Sequence, residues 1–298
     1  MSIPEDLRYT PHLGLALGGG GALGAAHVGV IQVLHERGLM PSIITGTSAG
    51  AIAGGATAIG IDPYDLEQRV LRWGWTTFGR WTPRPGLGIL TADNLHARVR
   101  RITGGDPLIE DLPVRFGAVA TDVTTRAAVV LDHGSLSTAV SASIAVPGVF
   151  RPVEIEGRHL VDGGLVQNLP IEAAIGLGAD HVIAVRVSPE WELPGFETTF
   201  SVHEFEIRND VTVIEPHLEH RSQWQVRDLA STVQLGREAA EREFGEYPIL
   251  NPRPEPAPRD SGPLPGDPDA PTASDAPQPE GEETRHGPWG LGPFLHRR

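Results

Sequence analysis

Two glycine-rich turns, each between an apolar strand and a helix, constrain the fold of this chain more than any other feature. The first, at residues 18–24, follows the apolar run 12–17 and leads into the helical pattern 25–37. The second, at residues 46–50, follows an apolar pair and leads into an Ala-Ile-Ala run that favours a helix. Repeated strand–turn–helix units predict a parallel sheet, with reactive groups at the carboxyl ends of its strands.

Ser48 lies at the centre of the second turn, where a sharp strand-to-helix bend would project its hydroxyl away from the backbone. Gly46 and Gly50 on either side permit the tight backbone that such a bend requires. The helix that begins near Ala49 would direct free N–H groups and its positive dipole end at the group that Ser48 attacks. This context favours a nucleophilic serine over an ordinary Gly/Ser turn, which the five residues alone would also allow.

The first turn presents bare backbone N–H groups, including those of Gly19, Gly20 and Gly21. Such a nest binds anions, either a resident phosphate or an oxyanion that forms during a reaction. Gly19, Gly21 and Gly24 also fit the dinucleotide-binding fingerprint, which requires an acidic residue about 20 positions further on. The sequence has no acidic residue between Arg37 and Ile61, so it favours an oxyanion hole.

A serine nucleophile needs a base, and the sequence offers two kinds of candidate. Asp162 stands at the end of a predicted strand and is followed by Gly163 and Gly164, which would let another backbone approach it closely. The same Asp-Gly pair also fits an ordinary turn. A catalytic triad stays open on chain order alone, because several histidines follow Ser48: His133, His181, His203, His217 and His220.

Four stretches of the sequence resemble the patatin-like phospholipase family and occur in the family's order. They are Gly-Gly-Gly-Gly-Ala-Leu-Gly at 18–24, Gly-Thr-Ser-Ala-Gly at 46–50, Ala-Ser-Ile-Ala-Val-Pro-Gly-Val-Phe at 142–150 and Asp-Gly-Gly-Leu-Val-Gln-Asn-Leu-Pro at 162–170. The resemblance covers about residues 12–245. It implies that Ser48 is the nucleophile and Asp162 the base of a dyad. It also implies an oxyanion hole at Gly19, Gly20 and Gly21, with no histidine in the chemistry. The glycines that support these motifs are Gly24, Gly46, Gly50, Gly163 and Gly164.

The function implied by the resemblance is hydrolysis of lipid acyl esters, as by a phospholipase A or a lysophospholipase, without metal or organic cofactor. One departure qualifies it, because Leu23 stands where the family usually has arginine or lysine. The alternative function is therefore a patatin-like binding or regulatory module with little turnover. The expected partners are a lipid or acyl-ester substrate and, transiently, a membrane surface.

Composition and pattern predict an α/β fold with a mostly parallel central sheet and helices on both faces. The expected organisation is an N-terminal extension at 1–11, the hydrolase domain at 12–247 and a disordered tail at 248–298. Of the 27 prolines, 12 fall in residues 251–298, where few aliphatic residues could offset the entropy of ordering. The formal net charge of −14 argues against nucleic acid as a partner.

The remaining features concern compartment, metal and substrate. Cysteine is absent, and neither a signal-peptide pattern nor a run of 18 apolar residues is present, so a cytoplasmic location is expected. His217 and His220 have helical i, i+3 spacing but do not match a zinc motif, and no metal site is predicted. The aromatic residues at 73–81 fit an acyl-chain pocket or ordinary core packing equally well.

Overall fold

A computed structural model describes residues 12–73, 92–189, 208–224 and 228–251, without the side chains of 73, 92–95 and 98. The strands are β1 (Leu13–Leu17), β2 (Ile43–Thr47), β3 (Arg115–Asp122), β4 (Ala128–Leu131), β5 (Val153–Ile155), β6 (Arg158–Asp162), β7 (His181–Val185) and β8 (Val211–Ile214). The helices are α1 (Ala25–Glu36), α2 (Ala49–Ile59), α3 (Pro63–Trp73), α4 (Ala92–Thr103), α5 (Leu136–Ser143), α6 (Ile171–Gly176) and α7 (Leu229–Phe244). The N-terminal extension, nearly all of the predicted tail, His203 and the aromatic residues Trp75, Phe78 and Trp81 lie outside the described residues.

The strands form one sheet in which β5-β6-β3-β2-β1-β7-β8 are successive partners and β4 also pairs with β3. The five strands from β3 to β8 along this path are parallel to one another. The three remaining strands, β4, β5 and β6, pair in antiparallel fashion. The prediction of a mostly parallel central sheet is confirmed.

Helices cover both faces of this sheet, and the alternation of side chains along β1 shows how. Leu13, Leu15 and Leu17 belong to the large apolar cluster that also contains residues of α1, α2, α5 and α7. Ala16 points to the opposite face and packs in a smaller cluster with Ile171 and other residues of and near α6. Every residue of β1 is buried. The absence of polar side chains from β1 is typical of a parallel strand that helices cover on both faces.

The pairing of β3 places the ends of β2 and β6 beside each other. Ala118 pairs with both β2 and β4, so these two strands lie on opposite edges of β3. Ala120 pairs with both β4 and β6, so β6 lies opposite β4 and therefore on the same edge as β2. Thr47 at the end of β2 pairs with Val119, and Asp162 at the end of β6 pairs with the next residue, Ala120. The carboxyl ends of the two strands therefore meet.

The C-terminal helix α7 is held against α1 at a close crossing of two glycines. A Cβ on Gly236 would lie 2.0 Å from the carbonyl oxygen of Ala26, and one on Gly29 would lie 2.0 Å from that of Val233. Beside this crossing, the buried Arg237 donates to both carboxylate oxygens of Glu36, at 2.8 and 3.0 Å. Since α1 directly follows the glycine-rich turn, α7 supports the element that anchors that turn.

Gly236→Ala is expected to lower the free energy of unfolding by roughly 1–3 kcal/mol or more, because the methyl group forces two helix backbones apart. Gly176→Ala is the matched control, since a Cβ at this helical glycine meets nothing within 4 Å. It should be neutral or stabilising by up to about 1 kcal/mol. Denaturant unfolding of both variants checks the expectation, and equal stabilities would contradict the close crossing.

Among the residues that the structure describes, none of the helices combines the length and apolar character needed to cross a membrane.

Candidate active site

Ser48 occupies the turn between β2 and α2 in a backbone conformation that is unusual for a residue with a side chain. Its φ is 51° and its ψ is −117°, a region in which strain of about 1–3 kcal/mol is typical. The backbone N–H of Ser48 donates to the hydroxyl oxygen of Ser143 at 2.9 Å, and that hydroxyl donates to the carbonyl oxygen of Val119 at 2.6 Å. Ser143 at the end of α5 thus links the strained turn to β3 and holds it in place.

The hydroxyl of Ser48 donates to Oδ2 of Asp162 at 2.8 Å. The other carboxylate oxygen, Oδ1, accepts the backbone N–H of Gly164 at 2.8 Å. Asp162 is 2% exposed, whereas Ser48 is partly exposed. The two predicted catalytic side chains are therefore in direct contact, with the carboxylate behind the serine and the serine facing the outside.

Burial raises the pKa of Asp162 to about 6, although the hydrogen bonds from Gly164 and Ser48 act in the opposite direction. At neutral pH the carboxylate is therefore still ionised. A carboxylate with a raised pKa is a stronger base than an exposed one, which matters because a serine hydroxyl gives up its proton reluctantly.

The glycines that flank the two side chains allow the backbone to come this close. A Cβ on Gly50 would lie 2.0 Å from the carbonyl oxygen of Leu17, and one on Gly163 would lie 2.2 Å from that of Val119. At Gly46 the added atom would meet the first turn of α2 at 2.4 Å. Larger residues at these positions would push Ser48 and Asp162 apart. Gly24, which precedes α1, ends the 3₁₀ turn Gly21–Gly24 and is buried.

The glycine-rich turn lies beside Ser48, because a Cβ on Gly19 would be 3.3 Å from the Cβ of Ser48. Its N–H groups differ in their use. Those of Gly18 and Gly19 donate to the carbonyl oxygens of Val185 and Asn168, at 3.1 and 3.0 Å. In the described part of the chain, the N–H groups of Gly20 and Gly21 have no acceptor. Of the three glycines predicted to form the oxyanion hole, Gly19 is thus already engaged in the free protein.

Leu23, the residue that departs from the family pattern, is 8% exposed and belongs to the large apolar cluster. Its side chain therefore contributes to the core rather than to a charged site. This burial accounts for a hydrocarbon side chain at the position.

The histidines that left a triad open do not contact Ser48 in the described residues. His133 is exposed and hydrogen-bonds to its neighbour Asp132 at 3.0 Å. His181 begins β7, at the opposite end of the sheet from Ser48, and its ring bonds to the hydroxyl of Thr212. His217 and His220 are exposed and lie outside any helix. No cluster of three potential metal ligands occurs among the residues described.

Three residues support the site although the sequence did not single them out. Ser143 is the acceptor for Ser48 described above. Asn168 lies in the Asp-Gly-Gly motif, and its backbone carbonyl oxygen accepts the N–H of Gly19. His27 is fully buried at the start of α1 and bonds through Nε2 to the carbonyl oxygen of Gly18 at 2.7 Å. Burial lowers the pKa of His27 to about 4, so the ring is neutral at physiological pH and acts as a fixed donor.

Two relatives of known sequence are similar to this chain over more than half of its length. An uncharacterized NTE family protein of Mycobacterium tuberculosis is 41% identical over 199 residues, which cover 63% of this chain and 53% of that protein. Lysophospholipase nte1 of Emericella nidulans is 34% identical over 180 residues, which cover 59% of this chain and 12% of that protein. The chain therefore spans about half the length of the mycobacterial relative and a small part of the fungal one.

Two solved structures are similar to this chain at lower identity. VipD from Legionella pneumophila has a TM-score of 0.46 at 16% identity, over 79% of this chain and 67% of that one. ExoU from Pseudomonas aeruginosa, in its complex with SpcU, has a TM-score of 0.49 at 15% identity, over 80% of this chain and 52% of that one.

The family model described as patatin-like phospholipase matches residues 15–175 of the 298-residue chain. This range is more than half of the chain and includes both glycine-rich turns, Ser48 and Asp162. It also starts in β1 and ends in α6, so that it includes the strands β2, β3 and β6 whose ends form the site. On this match, the chain belongs to the patatin-like phospholipase family.

Proposed function

We propose that this chain is a serine hydrolase that cleaves acyl esters of lipids through a Ser48–Asp162 dyad. The observation that carries the proposal is the 2.8 Å hydrogen bond from the Ser48 hydroxyl to a buried carboxylate. Ser48 lies on a strained turn directly before the N-terminus of α2. This strand–turn–helix setting is typical of an activated serine nucleophile. Family membership and the likeness to a lysophospholipase support a lipid hydrolase in the broader sense.

The proposed first half-reaction forms an acyl-enzyme. Asp162 takes the hydroxyl proton as the Oγ of Ser48 attacks the ester carbonyl carbon. The tetrahedral intermediate then collapses, the bond to the leaving oxygen breaks, and the protonated Asp162 gives its proton to the departing alcohol. In the second half-reaction Asp162 removes a proton from water as the water oxygen attacks the acyl carbon. The second tetrahedral intermediate collapses, the bond between the acyl carbon and Oγ breaks, and Asp162 returns the proton to Oγ of Ser48 as the fatty acid leaves.

Backbone donors are proposed to stabilise the oxyanion in both halves. Gly20 and Gly21 have N–H groups without an acceptor in the described residues, and the same holds for Ala49 directly after the nucleophile. Ala49 also begins α2, whose dipole favours negative charge at this end. Each well-placed donor contributes about 10²- to 10³-fold in rate. Gly19 then serves to hold the turn rather than to bind the oxyanion.

A lipid substrate, with transient contact to a membrane surface, follows from the family rather than from the dyad itself. Hydrolysis should therefore be tested on p-nitrophenyl esters of increasing chain length and on a lysophospholipid. A fluorophosphonate probe followed by peptide mass spectrometry should place the label on Ser48. If the folded protein showed no turnover and no labelling, the hydrolase proposal would be refuted. The binding or regulatory module would then be the function.

The pH dependence of turnover is a separate prediction. Because Asp162 must be ionised to accept a proton and its pKa is about 6, kcat/KM for a neutral ester should rise with pH and level off above about pH 7. The apparent pKa of the ascending limb should lie near 6. His133→Ala and His181→Ala should leave the profile unchanged, since neither ring contacts Ser48. A limb that moved in either variant would restore the triad hypothesis.

A further inference from the structure

Ser188 binds the glycine-rich turn through the backbone carbonyl group of Gly19. It lies after β7, beyond the residues matched by the family model, and is 8% exposed. Its hydroxyl donates to the carbonyl oxygen of Gly19 at 2.8 Å. The same hydroxyl accepts a hydrogen bond from Nδ2 of Asn168 at 3.3 Å. Both bonds are buried, so the hydroxyl is fixed in one direction.

The geometry of a peptide bond links this contact to the oxyanion hole. In a trans peptide the C=O and N–H groups point in opposite directions within one plane. The carbonyl of Gly19 and the N–H of Gly20 belong to the same peptide unit. When Ser188 binds the carbonyl oxygen on one side, the N–H of Gly20 must therefore point to the other side, away from Ser188.

The neighbouring peptide unit is already fixed on both sides. The carbonyl oxygen of Gly18 is bound by His27 at 2.7 Å, and the N–H of Gly19 donates to Asn168 at 3.0 Å. Rotation of the Gly19–Gly20 peptide unit costs little free energy by itself, because the unit lies between two glycines, whose backbone dihedrals are the least restricted. In the described residues, the bond from Ser188 is the hydrogen bond that holds this unit.

We infer that Ser188 is a positioning residue that keeps the N–H of Gly20 directed at the oxyanion. The inference rests on the proposed function, since it assigns a task within the same reaction. In this assignment Ser188 acts on the reaction through the Gly19–Gly20 peptide rather than by touching the substrate or Ser48. Its loss should weaken transition-state stabilisation and leave binding of the ground state intact.

The test compares Ser188→Ala with Ser188→Thr in the full chain. Ser188→Ala should lower kcat roughly 10- to 100-fold, less than the loss of an oxyanion donor itself, with little change in KM. A long-chain alkyl trifluoromethyl ketone, which forms a hemiketal oxyanion on the serine, should bind weaker by a similar factor. Ser188→Thr retains the hydroxyl and should restore most of the activity. The pH profile should keep its limb near 6, because Asp162 is untouched.

Ser141→Ala is the matched control for removing a buried serine hydroxyl. Ser141 lies in α5, and within the described residues its hydroxyl has no hydrogen-bond partner. The Ser141→Ala variant should leave kcat and inhibitor affinity unchanged. If Ser188→Ala lowers only the melting temperature and folded enzyme turns over normally, Ser188 is merely structural and the inference is wrong, while the proposed function stands. Absence of turnover and labelling in the parent protein would overturn both.

Discussion

Ser48→Ala is expected to reduce ester hydrolysis by roughly 10⁴- to 10⁶-fold, the effect typical of removing the nucleophile from a serine hydrolase. The variant keeps Cβ and the strained backbone but has no oxygen to attack the substrate. Fluorophosphonate should label the parent protein and not the variant. Equal labelling of the two, or turnover within tenfold of the parent, would place the nucleophile elsewhere.

Stability measurements on a second variant separate chemistry from folding. Ser48→Gly removes the same hydroxyl and also relieves the positive φ of 51°. Strain of about 1–3 kcal/mol is then partly offset by about 0.4–1 kcal/mol of glycine entropy in the unfolded state. Ser48→Gly should therefore be more stable than Ser48→Ala by about 1 kcal/mol, and both should be equally inactive. If Ser48→Gly were less stable than Ser48→Ala, the turn would not be strained.

The secondary structure could be predicted from the sequence wherever the pattern is local. The sequence predicts short strands at 153–155 and 211–214, and the structure has β5 and β8 at these bounds. The predicted strand 12–17 differs from β1 by one residue. The sequence also predicts a long helix at 225–244, whereas the observed helix begins at Leu229, because Asp228 before it adopts a left-handed conformation with φ 61°. Such a break depends on the fold around it, and helical periodicity does not indicate it.

The sequence motifs suggest a contact between Ser48 and Asp162 but cannot establish it. The two residues are 114 positions apart, and their contact depends on β6 returning antiparallel along the edge of β3 that β2 also occupies. A strand's pattern indicates which residues are buried and does not indicate its partner or register. For the same reason the sequence could not show that the N–H of Gly19 is used by Asn168, which lies on a distant loop.

Asp162→Asn should abolish turnover nearly as completely as Ser48→Ala, since an amide cannot accept the serine proton. The amide has almost the shape of the carboxylate, so its oxygen can still accept from Gly164 while its nitrogen donates to Ser48. We expect a loss of roughly 10⁴-fold or more, the order seen when a triad residue is removed. Kinetics on a soluble ester measure this. Activity within tenfold of the parent would exclude Asp162 as the base.

The same substitution should make the protein more stable at neutral pH. The pKa of Asp162 is raised from 3.8 to about 6, so the native state binds the proton more tightly than the unfolded state. Its contribution to stability is therefore fully present below about pH 3.8 and is lost as pH rises through 6. The variant has no such loss, and its advantage should grow through this interval to at most about 3 kcal/mol, because a tenfold difference in proton affinity corresponds to about 1.4 kcal/mol.

Asp122→Asn is the control of opposite sign for this stability effect. Backbone N–H groups of Thr125 and Thr124 donate to the Asp122 carboxylate and lower its pKa. Its contribution is therefore present above the unfolded pKa and lost as pH falls, so Asp122→Asn should be destabilising at neutral pH. Urea unfolding of both variants between about pH 4 and pH 8 checks this, and His27, which titrates in the same interval, cancels in each comparison with the parent. An advantage of Asp162→Asn that did not grow with pH would mean that burial does not disfavour the ionised carboxylate, and the base would then be no stronger than an exposed aspartate.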